Sequence, residues 1–146
     1  MDAQQLIRLP ADGSPVWAGM GHCQLLSADG RHRIDLPYLG EPPHGDSYHR
    51  MEIDGVPFPG HVWGALFALT PDSRYLAFSW KPSQSVAAAS DFERRTAVVD
   101  LTLRRYFVLP AYIYKFRFVW PLLEGSTPGA GDIVYRFTGN EQWRDY

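Results

Sequence analysis

The chain has 146 residues, 14% of them aromatic, with 13 glycines, 12 prolines, one cysteine and a formal net charge of −2. That length builds one domain with a real core and is short for two. The charge excludes a bulk field for nucleic acid or acidic lipid, and the lone Cys23 excludes an internal disulfide and a multi-cysteine zinc site.

In chain order, residues 5–9 and 15–20 predict two short strands around Pro10-Ala11-Asp12-Gly13-Ser14. His22 to Leu26 predicts a third, in which Cys23 is a buried thiol, closed by the turn Ser27-Ala28-Asp29-Gly30. Arg31 to Leu36 returns, and Pro37 to Asp46, with Gly40, Pro42, Pro43 and Gly45, predicts a loop. Tyr48 to Ile53 alternates as a strand and Asp54-Gly55 turns it.

Residues 62–109 predict a four-stranded antiparallel meander: 62–69, the turn Thr70-Pro71-Asp72-Ser73, 74–80, then 96–101 and 105–109. Period two puts Leu76, Phe78 and Trp80 on one face and Tyr75, Ala77 and Ser79 on the other. Pro71 presets its φ for the turn, and Asp72 and Ser73 bond local backbone. Ser85 to Arg94, rich in alanine with Ser85 as a cap, reads as a short helix or a loop. Tyr112 to Trp120 alternates, with Tyr112, Tyr114, Phe116, Phe118 and Trp120 on one face. Residues 121–131 read as turn-rich, and 133–137 as the last strand.

Leu69-Thr70-Pro71-Asp72-Ser73-Arg74-Tyr75-Leu76-Ala77-Phe78 and the run from Thr96 to Leu109 resemble the inner turn and later strands of a β-propeller blade of the TolB or WD-repeat kind. A fainter repeat joins Leu26 to Arg31, Leu69 to Arg74 and Val119 to Gly125, spaced as blades are, about 40–50 residues apart. The resemblance implies a single all-β domain over 1–146, its antiparallel meanders forming an open propeller-like fan or a β-sandwich. Three blades do not close, so open edges call for a partner or a second copy of the chain.

The dense polar cluster is Glu41, His44, Asp46, His49, Glu52 and Asp54, with His61 beyond. These are metal-ligand types, but period two places His49 and Glu52 on opposite faces of a strand. A solvated loop that meets a protein partner fits them better, so no cofactor or metal is expected. No Gly-x-Ser-x-Gly elbow, His-Glu-x-x-His pair or phosphate loop occurs. Arg104 and Tyr106 add a second candidate contact, with Tyr114 and Lys115 beside them. Arginines between aromatics suit single-stranded nucleic acid, yet the net charge favours strand-end charges instead.

The reading that follows is a non-catalytic protein-binding domain. Its concrete form is a bacterial immunity protein that occludes the active site of a cognate toxin. The alternative is a small metal-dependent enzyme or ligand-binding barrel using the His44–His61 cluster. The N-terminus has no basic start before an apolar run, and no apolar run approaches the ~20 residues of a membrane span, so a cytoplasmic site without membrane contact is expected.

Overall fold

The computed structural model describes residues 5–19, 21–41, 47–82, 94–127 and 131–146. All regular structure among them is β. The chain begins with β1 (Gln5–Arg8), β2 (Val16–Trp17), β3 (Cys23–Leu26), β4 (Arg33–Leu36) and β5 (Tyr38–Gly40). Short β6 (Tyr48–His49), β7 (Glu52–Ile53) and β8 (Val56–Pro57) lead into the long β9 (His61–Leu69). The meander continues with β10 (Tyr75–Lys81), β11 (Arg95–Asp100) and β12 (Arg105–Val108). Then come β13 (Tyr114–Val119), β14 (Leu122–Thr127), β15 (Gly131–Arg136) and β16 (Arg144–Asp145).

These strands make three sheets. The first runs β1-β3-β4-β7-β8, with β1 parallel to β3. The central one runs β16-β12-β11-β10-β9-β6-β5, with β2 added on β9. The third is the hairpin stack β13-β14-β15. The predicted meander over 62–109 is therefore the middle of the central sheet.

Both faces of that sheet are buried, which explains why its strands read as near-continuous apolar runs. Leu76, Phe78, Trp80, Ala97 and Val99 pack toward the first sheet, against Leu25, Ile34, Leu36 and Ile53. Ala68, Ala77 and Val98 pack toward the third sheet, against Phe116, Phe118 and Leu123. The alanines Ala68 and Ala77 stand opposite each other in the register, leaving space that the large rings of β13 fill. Size alternates across the interface, as close packing requires. The five expected core residues Phe78, Trp80, Val98, Phe116 and Phe118 are all buried, but they divide between two cores.

The repeat between the first two sheets is physical. Ser27 N–H donates to His32 O at 2.9 Å, and Thr70 N–H donates to Tyr75 O at 3.0 Å. Ser27 Oγ and Thr70 Oγ1 each donate to the aspartate two residues on, Asp29 and Asp72, at 2.6 Å. Those carboxylates accept from the N–H of Arg31 and Arg74. The turn β3–β4 and the turn β9–β10 are one device used twice.

Three expectations change. Residues 122–127, read as turn, are β14, because the hairpin β13–β14 turns on Trp120-Pro121 alone, joined by a cis peptide bond. Gly125 is a strand residue there: a Cβ on it would stand 2.6 Å from Ile113 Cγ2 and 2.8 Å from Tyr114 O. The third member of the faint repeat thus lacks the turn of the other two. The shared face of 112–120 is also interrupted, since Phe116 and Phe118 are buried while Tyr114 and Trp120 are exposed. The stretch 85–93 lies outside the described residues.

Candidate functional site

The site forms where two strand ladders break. In the β9–β10 pair, Phe78 faces Phe67 and Trp80 faces Val62, so Ser79 alone stands against Trp63, Gly64, Ala65 and Leu66. This is a bulge. Gly64 supplies its left-handed conformation, φ 70°. On the other edge of β9, Trp63 pairs with Tyr48 and Leu66 pairs with Trp17. Gly64 N–H donates to Ser47 O and Ala18 N–H to Ala65 O, both at 2.7 Å, so the bulged segment is held from both flanks.

The facing wall is the start of the third sheet. The β13–β14 register shifts between Tyr114 and Arg117, and Lys115 sits at φ 53° inside the strand. A non-glycine residue held left-handed outside a turn is strained, and such strain gathers at functional positions. Upstream, Ile113 N–H donates to Thr96 Oγ1 at 2.8 Å, which ties this wall to β11. The turn before β2 reaches the same sheet. Phe118 N–H donates to Gly13 O at 2.9 Å, and a Cβ on Gly13 would lie 2.1 Å from Phe118 O. Trp17 and Tyr114 line the same cavity.

Between the walls lies a cavity of about 240 Å³ lined by Trp17, Trp63, Arg94, Tyr112, Tyr114 and Lys115 among others. No Asp or Glu lines it among the described residues. Trp17 is 65% exposed. Trp63 is 4% exposed and held between two groups: Tyr48 stacks on it at 5.0 Å, and Lys81 Nζ lies 3.8 Å from its ring centroid. The Arg94 guanidinium lies 4.5 Å from the Tyr112 ring and Lys115 Nζ 5.3 Å from Tyr114. Cations over aromatic faces gain about 0.5–2 kcal/mol each, depending on desolvation. The Trp63 Nε1–H is buried without a hydrogen-bond partner among the described residues, a donor in want of an acceptor.

The carboxylates serve turns instead. A hydrogen bond from the Ser14 hydroxyl lowers the Asp12 pKa, and one from Ser27 lowers that of Asp29. Burial pushes Asp100 up, but bonds from Arg74, Leu103 N–H and Arg105 outweigh it and hold the carboxyl below its ordinary range. Glu141 is likewise held low, against burial, by Thr138, Gly139 N–H and Tyr135. Every carboxyl perturbed in this way is held ionised, which does not suit a proton donor. Burial pushes the Cys23 thiol up to about 11, which keeps it protonated and inert.

Among the described residues, the sequence-predicted ones do not gather at one place. His44 and Asp46 lie outside the described residues. His49 is fully buried, its Nε2 on Gly21 O at 3.1 Å and its Nδ1 without a partner. His61 is buried beside the Tyr48 ring. Glu41 is exposed and accepts from Tyr38 Oη at 3.1 Å. Glu52 is exposed on β7, and Asp54 caps the turn after it, accepting from Arg33 N–H and bonding His32 Nδ1, both at 2.8 Å. Arg104 is exposed in the β11–β12 turn. Tyr106 is a core residue, 4.9 Å from Phe58. Asp54 and Arg104 do act on one group: the Tyr146 phenol, which burial first and Asp54 second push up to about 12 while Arg104 opposes.

Of the cleft, the sequence pointed to Tyr114 and Lys115 but not to Trp17, Trp63 or Tyr112. The available signal was Gly64 inside an apolar strand, which marks a bulge. No protein-family model, curated protein or solved structure matches the chain.

Proposed function

We propose that the chain is a non-catalytic protein-binding domain whose contact surface is centred on the cleft between the central and third sheets. One observation carries this reading: the β9 bulge and the left-handed Lys115, two departures from regular pairing, open on the same aromatic and cationic cavity. Exposed tryptophan and tyrosine beside arginine are the residue types of interface hot spots. At about 240 Å³ the cavity is smaller than the roughly 300–1,000 Å³ of pockets for cofactors and drug-sized ligands, and it suits one inserted side chain. The three stacked sheets with two matching turns support a propeller-like fan as the frame. In its specific form the domain is an immunity protein, acting in a bacterial cytoplasm by covering the active site of a cognate toxin.

The metal-dependent alternative has less support. Among the described residues no three His, Cys, Asp or Glu side chains gather, and His49 and His61 are packed among aromatic rings.

The test is affinity capture with the wild-type chain and with a Trp17→Ala/Tyr114→Ala double variant, then calorimetry on the purified captured protein. A loss of about 30-fold or more in the double variant supports the reading. Unchanged affinity overturns it.

A further inference from the structure

We infer that β15 is the pairing edge of a two-fold symmetric dimer, and that its occupant is the β15 strand of a second copy of this chain. The edge is separate from the cleft lining, so the inference does not rest on the protein-binding reading. β15 ends the third sheet, and its pairing with β14 runs without a shift from Leu122↔Arg136 to Thr127↔Gly131. Phe137 N–H donates to Pro121 O at 2.9 Å in the same register. Hydrogen-bonded positions alternate along an antiparallel strand, so Ile133 and Tyr135 turn their backbone groups to β14. Those of Asp132, Val134 and Arg136 point to the other side, where no described strand pairs with them. The remaining sheet ends among the described strands are short or obstructed. β1, β5, β8 and β16 have four residues or fewer, while β13 carries a register shift and receives Gly13 O on Phe118 N–H.

The side chains select a second copy. Asp132, Val134 and Arg136 are all exposed and share the outer face of the sheet, with Val134 at 55%. Within the chain Asp132 stands opposite Ser126 and Arg136 opposite Leu122, so neither directly faces a charge on β14. Two antiparallel β15 strands centred on Val134 put Asp132 of each copy opposite the partner's Arg136, and the two valines meet on the axis. Ile133 then faces the partner's Tyr135 on the inner side, a β-branched residue against an aromatic one. Such a pattern is self-complementary, as a two-fold interface requires. In this register the outward N–H and C=O groups of both strands bond each other. Charges on a strand edge also serve to block pairing. One of each sign, two residues to either side of a central valine, matches the strand's own copy instead.

The test is sedimentation velocity of the full chain at concentrations up to about 1 mM, with the charge reversals Asp132→Arg and Arg136→Glu. The wild type forms a dimer with a Kd on the order of 100 µM or tighter. Each reversal sets like charges opposite each other across the axis and weakens self-association by about tenfold or more. Mixing the two variants in equal amounts restores the dimer, because each copy then meets the opposite charge. Circular dichroism of both variants establishes that they remain folded. A wild type that stays monomeric up to about 1 mM overturns the inference. So does a dimer that survives both reversals, and so does a loss in the two folded variants that mixing fails to restore. Any of these three results leaves the cleft and the protein-binding reading standing, since that reading is tested by Trp17→Ala/Tyr114→Ala.

Discussion

Asp29 donates its backbone N–H to Ser73 Oγ at 3.1 Å, and this bond joins the turn of the first sheet to the matching turn of the central one. The two turns share a hydrogen-bond pattern but differ at their left-handed position. Gly30 holds φ 75° at no steric cost, while Ser73 holds φ 61° and bears the strain of a side chain. The hydroxyl explains why serine is kept where glycine fits better.

Ser73→Ala keeps the strain and loses the bond, so it destabilises by about 1–2 kcal/mol. Ser73→Gly loses the bond but relieves the strain, so it is milder by about 1 kcal/mol. Urea unfolding of the two variants checks the order. Ser73→Gly falling below Ser73→Ala would show that the left-handed backbone carries no strain there, and an undiminished stability of Ser73→Ala would show that the bond does not explain the residue.

Asp100 is the second such anchor. Its buried carboxylate takes Arg74 Nη2 at 2.9 Å, Arg105 Nε at 3.3 Å and the N–H groups of Thr102 and Leu103 at 3.0 and 3.1 Å. Asp100→Asn leaves two arginines without their anion and costs about 2–3 kcal/mol by denaturant unfolding. The folded pKa lies below the ordinary 3.8. The contribution is therefore complete above that value and is lost as pH falls through the folded pKa. Wild type loses stability in this acid range, and the Asn variant loses less.

His49 titrates in a different window. Burial lowers its pKa below the ordinary 6.5, against the bond to Gly21 O, which raises it. The folded state keeps the ring neutral while the unfolded chain takes up a proton. Stability is thus full above about 6.5 and falls as pH drops toward the folded pKa. Unfolding midpoints measured from about pH 7 to about pH 5 decline in wild type, and His49→Gln, which keeps a donor for Gly21 O, flattens that decline. An unchanged slope would mean that other groups set it.

The turns and the central meander were legible because local chemistry dictates them. Asp72 and Thr70 bond their own backbone, and Leu76, Phe78 and Trp80 alternate on one face. The third sheet was not legible at Gly125, since a glycine that reads as turn is there for the close approach of Ile113 and Tyr114. The cleft was harder still. His49 and Tyr106 looked like surface chemistry but are buried, a matter of which strands lie over them. Trp17 and Trp63 come to line one cavity because β2 pairs with β9 beside the bulge.

Gly125→Ala follows from that close approach. The added methyl would stand 2.6 Å from Ile113 Cγ2 and 2.8 Å from the backbone oxygen of Tyr114, and the backbone atom limits relief. Overpacking of this kind costs about 1–3 kcal/mol. Thermal unfolding checks it, and a neutral result would show that β13 yields freely.

Recognition at the cleft is tested most directly by the indole N–H resonances of the five tryptophans during titration with the captured partner protein. Trp17 and Trp63 line the cleft, whereas Trp120 and Trp143 line a separate cavity of about 250 Å³ with Tyr75 and Arg105. Trp80 is committed to Pro59 O at 2.7 Å. The expected result is movement of the Trp17 and Trp63 signals alone. Movement of Trp120 and Trp143 with Trp17 and Trp63 unmoved would place recognition at that second cavity and contradict the assignment.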